Sequence, residues 1–81
     1  MDDSEVQGHI EELVAEEQRL FDAAGREGGL SPEESGRLEE IRVFLDRYWD
    51  LLRQRRAEEE FGLDPDQAQM RSASTVERYQ Q

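Results

Sequence analysis

Residues 41–56, Ile-Arg-Val-Phe-Leu-Asp-Arg-Tyr-Trp-Asp-Leu-Leu-Arg-Gln-Arg-Arg, constrain the fold more than any other stretch. They hold the sole Trp, one of the two Tyr and one of the three Phe of the chain, together with half of its ten basic residues. Leu38, Ile41, Leu45, Tyr48 and Leu52 step by three and four, the spacing of a helical packing seam. Phe44 and Leu51 flank this coiled-coil-like seam on one side and Trp49 flanks it on the other, while Val43 faces away. The stripe is wider than one partner helix covers.

Such a stripe must be buried by something, and the chain offers little to bury it with. With 81 residues there is room for one domain with a thin core, because a chain of that size hides only about 60% of its unfolded surface. Apolar residues make up 35% and charged residues 38%, so an isolated monomer is marginal and association is the usual remedy. The net charge of −11 opposes binding to nucleic acid or to anionic membranes over the whole surface. There is no Cys, which removes disulfides, thiolate zinc sites and a Cys nucleophile. The acidic start Met-Asp-Asp-Ser-Glu has no apolar core of the kind a signal peptide needs. No apolar run approaches the roughly 18 residues of a membrane span, so a cytoplasmic location is expected.

Helical signals run the length of the chain. Ser4 with Gln7 three residues later reads as a capping box. Val6, Ile10, Leu13, Val14, Leu20, Phe21 and Ala24 then follow at helical steps, predicting a first helix from about residue 5 to 24. Glu17 falls on this seam and is expected at its rim, reaching an Arg of the facing helix, since an unpaired buried carboxylate is expensive. Gly25 suits the end of the helix, and Gly28-Gly29 suit a turn with positive φ. These glycines lack the Lys and Ser/Thr of a phosphate-binding loop and follow no strand, so they read as a connector.

Ser31-Pro32-Glu33-Glu34 is the strongest local signal. Ser31 is a helix cap, Pro32 suits the first turn and Glu34 closes a capping box. The second helix is expected from about 32 to 61, ended by Gly62 with Leu63 folding back. It is about 45 Å long against about 30 Å for the first. Pairing through the tip sets Leu13 near Phe44 and Leu45, Ile10 near Tyr48, and Val6 near Leu52, and residues 53–60 overhang. Asp64-Pro65 caps a short third helix, expected over about 65–70, and a polar tail follows in which Val76 and Tyr79 could tether through one helical turn. The expected organisation is a hairpin over 1–63, then a short helix and tail over 64–81.

Three constellations offer candidate chemistry. His9 lies roughly on one helical face with Glu5, Glu12 and Glu16, a set that could hold a metal, and Asp46 with Asp50, four residues apart, could perform acid–base work. One His per chain and the wrong Glu-to-His order favour instead a partly exposed His9 against Trp49, bonded to Asp46 or Asp50. Intrahelical pairing with Arg42, Arg47 or Arg53 accounts for the two aspartates. Arg53, Arg55 and Arg56 could fork onto phosphate or RNA. With Glu58-Glu59-Glu60 next in sequence, an acidic patch of a protein partner, or the chain's own tail, fits them better. Charge is uneven along the chain: residues 1–41 carry −10, residues 42–56 carry +3 and residues 57–81 carry −4.

The run Leu45-Asp-Arg-Tyr-Trp-Asp-Leu-Leu-Arg-Gln-Arg-Arg-Ala57, then Gly62-Leu-Asp-Pro65 and the ending Val76-Glu-Arg-Tyr-Gln-Gln81, resembles a family of short actinobacterial proteins catalogued only as a domain of unknown function. The opening His9-Ile-Glu-Glu-Leu-Val-Ala-Glu-Glu17 resembles it too, although this chain has Gln18 and Phe21 where the family often has His and Trp. The resemblance implies a cytoplasmic helical protein and no activity, cofactor or metal.

The expectation is therefore an all-α hairpin that dimerises as a helical bundle. It is a protein–protein interaction module or regulator rather than an enzyme, with Tyr48, Trp49, Leu52, Arg53, Arg55 and Arg56 facing a second copy or another protein. The alternatives are a factor docking on transcription or translation machinery or RNA through Arg53, Arg55 and Arg56, and a metal or acid–base site at His9, Glu12, Asp46 and Asp50. A central Trp49 implies a loss of about 3–5 kcal/mol in Trp49→Ala.

Overall fold

The computed structural model describes the backbone of residues 1–26 and 28–80 and the side chains of 1–26 and 28–76. Those residues form an antiparallel helical hairpin, α1 (Asp3–Ala24) and α2 (Pro32–Glu60), followed by a 3-10 turn (Pro65–Gln67) and a third helix, α3 (Ala73–Gln80). Helix α1 packs on α2. The 3-10 turn and α3 also rest on α2, and among the described residues neither packs on α1.

Helix α1 starts earlier than the Ser4 signal suggests. Asp2 is the cap, its Oδ1 accepting the Glu5 N–H at 2.8 Å. An aspartate competes well for this role, because its charge also complements the positive end of the helix dipole. Gly25 ends α1 with φ −76°, and the positive φ values fall on Gly28 and Gly29, where the chain reverses. Helix α2 begins as its sequence dictates: Glu34 N–H donates to Ser31 Oγ at 3.1 Å, and Ser31 N–H donates to Glu34 Oε1 at 2.9 Å. Its end is a Schellman turn. Leu63 N–H donates to the Glu58 carbonyl at 2.7 Å and Gly62 N–H to the Glu59 carbonyl at 3.1 Å. Gly62 sits at φ 73°, a conformation in which any other residue is strained.

The core is small. Val6, Ile10, Leu51 and Leu52 form its centre, with Leu45, Tyr48 and Ala68 packed on them. This is the pairing the tip of the hairpin imposes, with Val6 at Leu52 and Ile10 at Tyr48. Ile41 is fully buried higher on α2.

The C-terminal segment differs from its sequence reading. The Asp64-Pro65 cap makes only a 3-10 turn, and the third α-helix lies beyond residue 70, not over 65–70. Ser72 starts it, with Oγ accepting the Thr75 N–H at 3.3 Å and the carbonyl accepting the Val76 N–H at 3.1 Å. Val76, 1% exposed, anchors the helix. The side chain of Tyr79, the other half of the expected tether, lies outside the described residues.

Candidate functional site

Helix α2 is surrounded unevenly. Successive helical residues turn by about 100° around the axis, so each contact fixes where the neighbouring side chains point. Ile41, Leu45, Tyr48 and Leu52 face α1. Arg47, Asp50 and Gln54 face the C-terminal segment. Arg71 places Nη2 2.8 Å from Asp50 Oδ1 and Nε 2.9 Å from Oδ2, a two-pronged pair on a carboxylate 4% exposed. Arg47 Nε donates to the Arg71 carbonyl at 3.0 Å, and Gln54 Nε2 to the Gln69 carbonyl at 2.8 Å.

Two edges of the hairpin remain. Along the first, His9 stacks on Tyr48 with ring centres 5.2 Å apart and planes at 9°. Beside the stack, Arg37 Nη2 and Nε reach the Glu16 carboxylate at 2.8 and 2.5 Å. This fork holds the Glu16 carboxyl below the usual carboxylate range. A shallow groove of about 220 Å³ lies between, lined by His9, Glu12, Leu13, Glu16, Arg37, Phe44 and Tyr48. Its strongest charges already neutralise each other. The bridge that Glu17 was expected to make across the hairpin belongs to Glu16.

On the second edge α1 contributes Val14, 44% exposed, and Phe21, 53% exposed. Opposite them α2 contributes half-buried Leu38 and Leu45 and, four residues on, Trp49 at 47% exposure. Trp49 is thus a largely exposed side chain on the flank of the seam, the condition for a large Trp49→Ala loss is not met, and His9 packs on Tyr48 instead of on it. Arg53 and Arg56 are exposed beside Trp49 and make no hydrogen bond or ion pair among the described residues.

The six residues expected at a partner surface therefore separate. Leu52 is core, and Tyr48 is half-buried beneath His9. Arg55 was expected in an uncovered overhang and is instead an internal clamp, 5% exposed. Its Nε donates to Asp3 Oδ1 at 2.5 Å. Its Nη1 donates to the Met1 carbonyl, to the Pro65 carbonyl at 3.1 Å and to Asp66 Oδ1 at 3.0 Å. One guanidinium thus ties the chain's start, α2 and the 3-10 turn together, and its carboxylate partners, Asp3 first, raise its pKa further. Nothing in its sequence neighbourhood distinguishes Arg55 from Arg53 or Arg56 except the turn of the helix, which aims it at α1. Trp49, Arg53 and Arg56 are left facing outward.

The acid–base constellation is not assembled. His9 and Glu12 lie on the first edge. Asp46 is bound to Arg42 at 3.3 Å and Asp50 to Arg71, both away from that edge. Among the described residues no three His, Asp or Glu side chains converge to hold a metal ion. Also among them, no helix is long and apolar enough to cross a membrane.

Comparison with known proteins finds relatives without an assigned chemistry. Over 78 residues it is 51% identical to the uncharacterised proteins Mb0922c of Mycobacterium bovis and Rv0898c of Mycobacterium tuberculosis, covering 95% of this chain and 88% of each relative. No solved structure matches it significantly. A family model described as protein of unknown function (DUF2630) matches residues 2–81, and the chain belongs to that family.

Proposed function

We propose that this chain is a protein–protein interaction module that acts as a homodimer through its second edge. The observation that supports the reading is the row of large apolar side chains there: Val14, Phe21 and Trp49, each between 44% and 53% exposed, around half-buried Leu38 and Leu45. Scattered exposed apolar residues are ordinary, but a continuous strip on one edge of a two-helix layer is what an interface leaves behind. The hairpin's own centre holds only four buried apolar side chains, so closing this edge adds core where the fold has least.

Sedimentation equilibrium tests the reading. A chain of 9.5 kDa is expected to sediment at twice that mass at micromolar concentration. Phe21→Glu places a charge on the strip at a position 53% exposed, and is expected to restore the single mass with the helical signal intact. A wild-type protein that stays at 9.5 kDa throughout rules the dimer out.

A further inference from the structure

We infer that Arg55 is a coupling device: through it the start of α1 and the 3-10 turn become ordered and loosen together, although among the described residues the turn does not pack on α1. Whatever orders one end then orders the other, and by the same factor in both directions. The inference does not depend on the dimer reading above.

The two sides hold different nitrogens of one rigid group. Asp3 Oδ1 accepts from Nε at 2.5 Å. Nε lies at the root of the guanidinium, so this bond sets how the plane is turned about the side-chain stem. Nη1 then reaches the Pro65 carbonyl at 3.1 Å and Asp66 Oδ1 at 3.0 Å, with the Met1 carbonyl also on it. A guanidinium is a planar fork, so fixing one of its N–H groups aims the others. The start of α1 thus aims the donor that the turn uses, and the turn aims the one that Asp3 uses.

The turn has little else to hold it in place. None of Pro65, Asp66 and Gln67 is buried. Its internal bonds, Asp66 N–H to Asp64 Oδ1 at 2.9 Å and Gln67 N–H to the Asp64 carbonyl at 3.1 Å, keep its shape but do not seat it on α2. Ala68, next in sequence, packs on the core cluster that contains Val6, which is a second, apolar route between the two ends. Burial supplies the sign of the coupling. Arg55 is 5% exposed, and the cost of taking its charge out of water is met once, by partners from both sides together. Where either side leaves, water reaches the guanidinium and weakens the bonds that remain, because hydrogen bonds are strongest at low local dielectric. Two features oppose this. Nη1 has three acceptors, which invites competition. Asp3 and Asp66 also repel each other, but at 44% and 69% exposure solvent screens that repulsion. The shared burial wins, and the ends cooperate.

Amide hydrogen exchange of the full chain, at one protein concentration, tests the coupling. Asp3→Ala is expected to speed exchange severalfold at the Gln67 and Ala68 N–H groups, which bond to the Asp64 and Pro65 carbonyls. Asp66→Ala is expected to do the same to the Glu5 and Val6 N–H groups, which bond to Asp2. Amides 45–49 in the middle of α2 are expected to exchange as in the wild type, the mark of local opening. In Arg55→Met, and in Arg55→Leu as a second apolar stem, adding either aspartate substitution is expected to leave the opposite end unchanged. An effect confined to the substituted end overturns the coupling. Slower exchange at the opposite end shows competition for Nη1 and overturns it as well. Equal speeding of amides 45–49 shows a general loss of stability and does the same. A cross-effect that persists in both Arg55 variants travels through Ala68 and the core, and takes the role away from Arg55.

Discussion

Arg55 is the residue whose replacement tests the fold most directly. Its side chain is 6% exposed, and from α2 it holds four acceptors drawn from two other parts of the chain, the start and the 3-10 turn. Arg55→Ala removes hydrogen bonds to charged partners, worth about 1.5–3 kcal/mol each before compensation. It also removes the packing of the buried stem. The carboxylates left behind are not stranded: Asp3 is 44% and Asp66 69% exposed, and both return to water. The loss therefore falls short of the about 3–5 kcal/mol that follows when a buried charge is left alone. About 2–3 kcal/mol is expected. In a chain of this size each kcal/mol moves the melting temperature by about 4–8 °C, so Arg55→Ala should lower Tm by about 10–20 °C at fixed protein concentration. Arg55→Met keeps the stem and removes the charge, and exchange of a buried charge for an apolar group of similar volume is often nearly neutral. It should melt well above Arg55→Ala. Circular dichroism melts decide both. A drop of less than about 3 °C for Arg55→Ala would show that the clamp is a surface contact and that the chain's start and the 3-10 turn are held by something else.

Two further outcomes follow from the same structure. The Ser31 N–H, and next the Arg26 guanidinium, hold the Glu34 carboxyl below its ordinary value of 4.5. A lowered folded pKa gives stability that is complete above 4.5 and disappears as pH falls through the lower folded value. The Tm gap between wild type and Glu34→Gln should therefore be widest near neutral pH and close as the pH falls below 4.5 through the lowered folded value; a gap that stays constant on acidification would refute the charge-based account. Val76→Ala removes buried methyl groups worth about 1–2 kcal/mol. Because α3 rests on α2 and, among the described residues, not on α1, amide exchange should speed up in α3 and leave α1 protected, and uniform deprotection would show that α3 is coupled to the whole fold.

What the sequence alone determined is whatever nearest neighbours determine. The capping box at Ser31 and Glu34, the glycine reversal at Gly28 and Gly29 and the Schellman turn at Gly62 are each closed by partners within five residues. The hairpin register was legible for a related reason, since two amphipathic stripes joined by a short turn have one way to meet. Even locally, Ser4 lost the first cap to Asp2, because the helix gains two residues and a charged cap by starting earlier.

Tertiary structure decided which member of each similar set is used. Glu16 and Glu17 are adjacent acids, and only the turn of α1 gives the bridge to Arg37 to Glu16. Arg53, Arg55 and Arg56 look alike in sequence, and one is buried while two stay exposed, because burial depends on what lies across from a helix and not on the residue itself. Trp49 follows the same rule. The sequence set it on the flank of the seam without saying what covers that flank; α1 covers the Tyr48 side of α2 and the C-terminal segment covers the Asp50 side, which leaves the indole on the open edge. That placement, which no local pattern encodes, is where the hairpin has apolar surface left to share.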